Sequence, residues 1–222
     1  MEATSPSAAG TMIDAVVLDA FGTIVRINRR TNPYQELIRE GRRQGCDFKS
    51  SATHFLMTTS LSLVEAASQL GISLTPEKRQ ELTRALELEL SSIQAFPDAK
   101  AAVSRLQSAG LKLGICSNLA SPYGPVIREF FPNLDGYAFS YEVGTTKPDP
   151  IIYQAICSQM NVAPGHHFSG GQGRVLMIGD SQRCDRDGPR TIGIMGFHLD
   201  RGGRGQICDL EQFAKLVIDQ NR

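Results

Sequence analysis

The chain has 222 residues, 41% hydrophobic and 21% charged, an ordinary composition for a soluble globular enzyme and room for one large domain or a core with a smaller lobe. Its 23 basic residues cancel its 23 acidic ones, which leaves no global field to attract nucleic acid or an anionic membrane, and no apolar run approaches the roughly 20 residues that span a bilayer. The five cysteines, Cys46, Cys116, Cys157, Cys184 and Cys208, are scattered and include no Cys-x-x-Cys pair, so neither a disulfide framework nor a zinc site is indicated and a reduced, cytoplasmic setting fits.

Residues 1–12 lack the basic and apolar regions of a signal peptide and read as a disordered tail. Residues 13–18 read as a buried strand that runs into "VVLDAFGTIV" and presents one acid, Asp19, before a Gly-Thr turn. Residues 28–92 carry helix punctuation and no convincing strand. Asn32-Pro33 reads as a cap followed by a first-position proline, with Gly45 closing that helix. "SLVE" at 62–65 is a capping box with Gly71 beyond it, and Thr75-Pro76 opens a helix in which Leu82, Leu86 and Leu90 recur. These signals predict a helical cap over 28–92, inserted into a core formed by 13–27 and 93–222.

From Pro97 onward strands and helices alternate. A helix over about 98–109 ends at Gly110, "LKLGICS" is a strand, a helix lies near Pro125, and "YAFS" is a short strand. Asp149-Pro150 opens another helix, "RVLMIGD" is a strongly apolar strand ending at Asp180, and "GIMGFHL" is a fifth strand. Such alternation predicts an α/β fold with a parallel five-stranded sheet and helices on both faces. Ligands bind outside the carboxyl ends of such strands, so Asp19, Ser117 and Asp180 should converge although they lie far apart in sequence. The glycine-rich stretch "HHFSGGQGR", 166–174, leads into a strand rather than from strand to helix. It therefore reads as a surface loop with His166 and His167 solvated.

Four elements stand in order: "DAFGT", "ICSN", "KPDP" and "GDSQRCD". Together they resemble the haloacid dehalogenase-like hydrolases, a superfamily of Rossmann-like enzymes, in the subgroup whose helical cap follows the first motif. The resemblance implies that Asp19 is the nucleophile, forming a covalent intermediate that water later cleaves. It implies that Ser117, Asn118 and nearby amides hold phosphoryl oxygens, and that Lys147 offsets negative charge. Asp19, the main-chain carbonyl of Phe21, and Asp180 would bind Mg²⁺, a hard cation that takes oxygen ligands. Asp185 would stand one layer out, orienting water or pairing with Lys147.

Phe21 departs from the pattern of the family's phosphatases, which place there an acid that protonates the leaving alcohol and activates the hydrolytic water. The 2-haloacid dehalogenases carry an aromatic residue at that place and work without metal, since halide needs no proton. They typically lack the Gly-Asp acid. Asp180 beside Asp19 without a cation would crowd two carboxylates and raise a pKa. The balance favours an Mg²⁺-dependent phosphatase on a small phosphorylated metabolite, with an altered second half-reaction. A metal-free dehalogenase stays open, and would need an arginine from among Arg26, Arg29, Arg30 and Arg39. So does phosphonate cleavage through a cap lysine, Lys49 or Lys78, and so does a non-catalytic phosphate-binding protein. Tyr34, Gln35 and His54 are further polar residues of the cap. No nucleic acid or membrane partner is expected.

Overall fold

The computed structural model describes residues 12–48, 51–164 and 174–221. Most of the sequence-predicted tail, Lys49, His166 and His167 lie outside these residues. Along the chain, β1 (Ile13–Leu18) and a short β2 (Val25–Ile27) precede four helices, α1 (Pro33–Arg43), α2 (Ala52–Thr58), α3 (Leu63–Gln69) and α4 (Pro76–Ser91). Then come β3 (Ile93–Ala95), α5 (Pro97–Ser108), β4 (Lys112–Ser117), α6 (Tyr123–Phe130), β5 (Gly136–Phe139), α7 (Ser140–Val143) and α8 (Pro150–Gln159). The chain ends with β6 (Arg174–Gly179), a wide π-type turn over Gln182–Asp187, α9 (Gly188–Arg190), β7 (Met195–His198) and α10 (Leu210–Gln220).

Five strands form one parallel sheet in the order β5-β4-β1-β6-β7. All five expected strands are present, and β1 is central, with Val17 in register between Gly114 and Met177. The centre of a parallel sheet is covered on both faces, which is why β1 and β6 read as near-continuous apolar runs. On one face Val16, Leu18, Ile115 and Ile178 join the core that includes Leu106 of α5 and Phe213 of α10. On the other, Ala15, Val17, Cys116 and Met177 pack with Ile152, Tyr153 and Ile156 of α8.

Among the described residues, 28–92 hold four helices and no strand. The chain leaves and returns through an antiparallel ribbon, β2 with β3, pairing Val25 with Ala95 and Ile27 with Ile93. The capping box is made in full by Ser62 and Glu65, and Thr75 caps α4 by accepting from Lys78 N–H. Asn32 differs from expectation. It takes a left-handed conformation (φ 52°) and its side chain makes no cap hydrogen bond. A different residue holds this end. The buried carboxylate of Glu89 on α4 accepts from the N–H groups of Thr31 and Asn32, both at 2.7 Å, and from the Tyr123 hydroxyl of α6 at 2.9 Å.

Glu89 therefore fastens the start of the helical stretch through Thr31 and Asn32 and ties that stretch to the core through Tyr123, and the three donors would otherwise lose their partner. Each stranded donor costs roughly 1–3 kcal/mol. Glu89→Ala should lower unfolding free energy in urea by about 3–4 kcal/mol, and Glu89→Gln by about half of that because it keeps one acceptor. Equal midpoints for wild type and Glu89→Ala would contradict this account.

Candidate active site

The carboxyl ends of the three central strands bring the sequence-predicted residues together. Asp19 follows β1 and Asp180 follows β6, while Asp185 lies on the π-type turn after it and Ser117 ends β4. Lys147 reaches in from the loop between α7 and α8. Its Nζ donates to Asp19 Oδ1 at 2.6 Å and to Asp185 Oδ1 at 2.7 Å. All three of these residues are buried, Asp185 completely, while Asp180 stands at the open mouth.

The buried charges do not balance. Carboxylate oxygens of Asp19, Asp180 and Asp185 all lie within 4.8 Å of one another, against the one ammonium of Lys147. Burial alone would pull the Lys147 pKa down, but Asp19 and Asp185 together hold it well above its ordinary value, so it is a fixed cation. Burial and then the charge of Asp19 push the Asp185 carboxyl up to about 6. The same two causes, in the same order, raise Asp180.

This donor set suits a divalent cation. Three carboxylates facing one ammonium leave an excess of two negative charges, and the hard oxygens are what Mg²⁺ takes. The free donors are unequal. Asp185 has Oδ1 on Lys147 and Oδ2 accepting Ser181 N–H at 2.9 Å, so its oxygens are committed to the protein. Among the described residues, no other residue donates to the Asp180 carboxylate, which meets only its own N–H, and the Phe21 carbonyl accepts no hydrogen bond. The Asp180 carboxylate lies directly over Gly22, where φ is +80° and a Cβ would overlap it. Only glycine satisfies both constraints.

Ser117 is buried at the end of β4, and among the described residues its hydroxyl has no protein partner. Asn118 is different. Its side chain clasps the Lys147 main chain, donating to the carbonyl at 3.0 Å and accepting the N–H at 2.7 Å, so it positions the lysine. Several supporting residues carried no sequence signal. Thr23 Oγ1 accepts from Asp180 N–H at 3.1 Å and makes a long contact of 3.4 Å to Asp19 Oδ2. Arg201, beyond β7, donates to the carbonyls of Gly22 and Thr23 at 3.2 and 2.6 Å, pairs with Asp98 at 3.0 Å and stacks on Phe96. A glycine-rich turn surrounds Arg201 in sequence, which gave no hint of this role.

Phe21 sits edge-on to Tyr123, with ring centroids 5.6 Å apart, in the wall of a cavity of about 310 Å³ between the helical stretch and the core. Tyr34, Gln35 and Arg30 also line it, whereas His54 is exposed on α2 outside the lining. The other early arginines lie elsewhere. Arg26 stacks on Phe96, Arg39 pairs with Glu36, and Arg29 is exposed outside the lining. Lys78 pairs with Glu81 and Glu36, whose carboxylates favour its charged form, unlike an amine that must be neutral to attack a carbonyl.

Residues 13–193 match the family described as hydrolase: haloacid dehalogenase-like hydrolase, and the chain belongs to that family. A phosphoserine phosphatase of Thermus thermophilus is 27% identical over 135 residues, which cover 58% of this chain and 50% of that protein. The chain thus spans half the length of that relative. Among solved structures, a HAD phosphatase from Thermococcus onnurineus superposes with a TM-score of 0.63 at 20% identity, covering 92% of this chain and 98% of that one. A 2-haloacid dehalogenase from Pseudomonas syringae does so with a TM-score of 0.61 at 16% identity, covering 94% and 99%. At such identities the superpositions establish the fold, and both chemistries share it.

The charge imbalance has a pH signature. With its folded pKa raised from 3.8 to about 6, Asp185 binds its proton more tightly in the native state, so without added metal it lowers stability as pH rises through that window. Lys147→Met removes the opposing cation and leaves two buried carboxylates without a countercharge, a loss of about 3–5 kcal/mol at pH 7.5. Urea unfolding in chelator should show the variant recovering part of that loss at pH 5.5, as its carboxylates protonate. A deficit that is the same at both pH values would contradict the account.

Proposed function

We propose that the chain is an Mg²⁺-dependent phosphomonoester hydrolase of the haloacid dehalogenase-like family, working through a phosphoaspartyl intermediate on Asp19. The observation that carries this reading is the cluster of three carboxylates around one lysine, which calls for a further divalent charge. Asp19, the Phe21 carbonyl and Asp180 would hold the ion, and Asp185 would fix Lys147 and the turn behind it. Bound Mg²⁺ would supply charge compensation for the phosphoryl group. We further assign residues 28–92 as a cap over the site, and the cytoplasm as the setting, on the cysteines, which are all free.

In the first step a carboxylate oxygen of Asp19 bonds to phosphorus, and the bond to the leaving oxygen breaks with its electron pair. Lys147 donates to Asp19 Oδ1, which fixes the direction of the carboxylate. The Ser117 hydroxyl is available for a phosphoryl oxygen. In the second step water attacks phosphorus, phosphate departs and Asp19 is restored. Phe21 has no proton to give the leaving oxygen and no base to activate that water. The enzyme should therefore favour leaving groups that depart unassisted.

One observation favours the second reading, a metal-free 2-haloacid dehalogenase. An aromatic side chain beside the nucleophile and Arg30 in the adjoining cavity suit a halo acid. The two readings separate on metal binding. Asp180→Ala should abolish calorimetric Mg²⁺ binding and phosphatase activity, while Asp185→Ala should weaken binding by about 10–100-fold, as loss of a supporting residue does. Unchanged Mg²⁺ affinity in Asp180→Ala would refute the phosphatase and favour the dehalogenase.

Phe21 gives an independent test. A general acid or base contributes typically about 10²–10⁴-fold, so Phe21→Asp should raise turnover of alkyl phosphates by up to that factor and flatten the dependence on leaving-group pKa. Desolvation of the new carboxylate sets the lower end of the gain. The same slope in wild type and variant would mean that Phe21 does not stand in for a missing acid.

A further inference from the structure

The cavity beside Phe21 carries information about the leaving group. Phe21, Ile38, Leu56, Met57, Leu119 and Tyr123 give it an apolar wall, and its volume of about 310 Å³ is the size of a small ligand pocket. Phe21 lies two residues beyond Asp19, and Asn118, also in the wall, lies one beyond Ser117. Asp19, Ser117, Lys147 and Asp180 do not themselves line the cavity, so Phe21 and Asn118 are the residues that connect it to the loops after β1 and β4. Its polar groups are few. Glu89 has both carboxylate oxygens occupied by Thr31, Asn32 and Tyr123, which holds its charge at one side of the cavity and leaves Arg30 as the cation of the lining. Arg30 at the mouth makes no ion pair among the described residues.

We propose that this cavity receives the leaving group of the substrate, and that the substrate class is an aryl phosphate whose ring lies against the apolar wall and bears a carboxylate paired with Arg30. The proposal rests on the phosphomonoester reading given above. Two independent features require the same group. The wall favours a ring over a polyol or an amino-acid side chain. The missing acid at Phe21 requires a leaving oxygen of low basicity, and a phenol, with a pKa near about 10, leaves far more readily than an alcohol. The bond from phosphorus to the aryl oxygen breaks with its electron pair on that oxygen, and the phenolate takes its proton from water. Asp19 takes the phosphoryl group, and the second water returns it as phosphate.

The test compares acetyl phosphate, phenyl phosphate and 4-carboxyphenyl phosphate as substrates with Mg²⁺ present. Acetyl phosphate has a good leaving group but no ring. Phenyl phosphate should show a KM about 10²-fold below that of acetyl phosphate, within the range that apolar pocket contacts supply. The carboxylate should lower KM by about a further fivefold, a size set by the exposure of Arg30, and Arg30→Gln should reduce that difference to within about twofold. Calorimetric binding of methylphosphonate, phenylphosphonate and 4-carboxyphenylphosphonate, which do not turn over by this route, gives a second readout. Equal affinities for methylphosphonate and phenylphosphonate would overturn the cavity assignment while leaving the phosphatase reading intact. Ring-selective phosphonate binding without hydrolysis of any ester would support the cavity assignment and overturn the phosphatase reading. A carboxylate preference unchanged in Arg30→Gln would remove Arg30 from the proposal.

Discussion

The buried ammonium of Lys147, shared between Asp19 and Asp185, is the interaction on which the rest of the site depends. Desolvation of an ion pair is costly, and breaking one by removing a partner costs more still. Here one cation serves two carboxylates, and each has a second anchor or neighbour. Asp185 is held by Ser181 N–H, and Asp19 meets Thr23. The lysine itself is fixed from behind by the amide of Asn118. The segments after β1, β4 and β6 thus each contribute a constraint on a single charge.

The parallel sheet makes that arrangement possible. Because β1 is central, the loops after β1, β4 and β6 are neighbours, and residues more than 150 positions apart meet. Arg201 then fastens the first loop from the far end of the chain, capturing two of its carbonyls while its guanidinium rests on Phe96. The pattern leaves the Phe21 carbonyl facing no protein donor and the Asp180 carboxylate none beyond its own N–H. A rigid support with free oxygens is the arrangement a bound cation requires.

Much of this was legible in the sequence because its signals were strong and local. Apolar runs ending in Asp19, Ser117 and Asp180 marked three strands correctly, and proline placed the starts of α1, α4 and α8. The capping box of α3 was readable for the same reason. The less legible features are long-range or short. Glu89 stands seven residues after Leu82 and three after Leu86, on the buried face, but an acid there carries no sign of the N–H groups and hydroxyl that receive it, which only tertiary packing brings together. The three-residue strands β2 and β3 exist because they pair with each other, and neither has enough residues for periodicity to register. Asn32 resembles a cap in sequence, but its backbone is left-handed rather than extended, its side chain makes no cap hydrogen bond, and Glu89 instead holds the N–H groups of Thr31 and Asn32 just before the helix. Arg201 could not be distinguished from the other arginines until the fold brought it to the carbonyls of the loop after β1.

The central claim is that Asp19 carries a phosphoryl group through a cycle whose second half lacks a dedicated acid–base residue. Rapid-quench kinetics with an aryl phosphate and Mg²⁺ tests it most directly. The account predicts a burst of phenol release approaching one equivalent per enzyme, followed by slow turnover, with the phosphoryl group recovered on the peptide containing Asp19. Linear phenol release from the first turnover, with no label on Asp19, would contradict it.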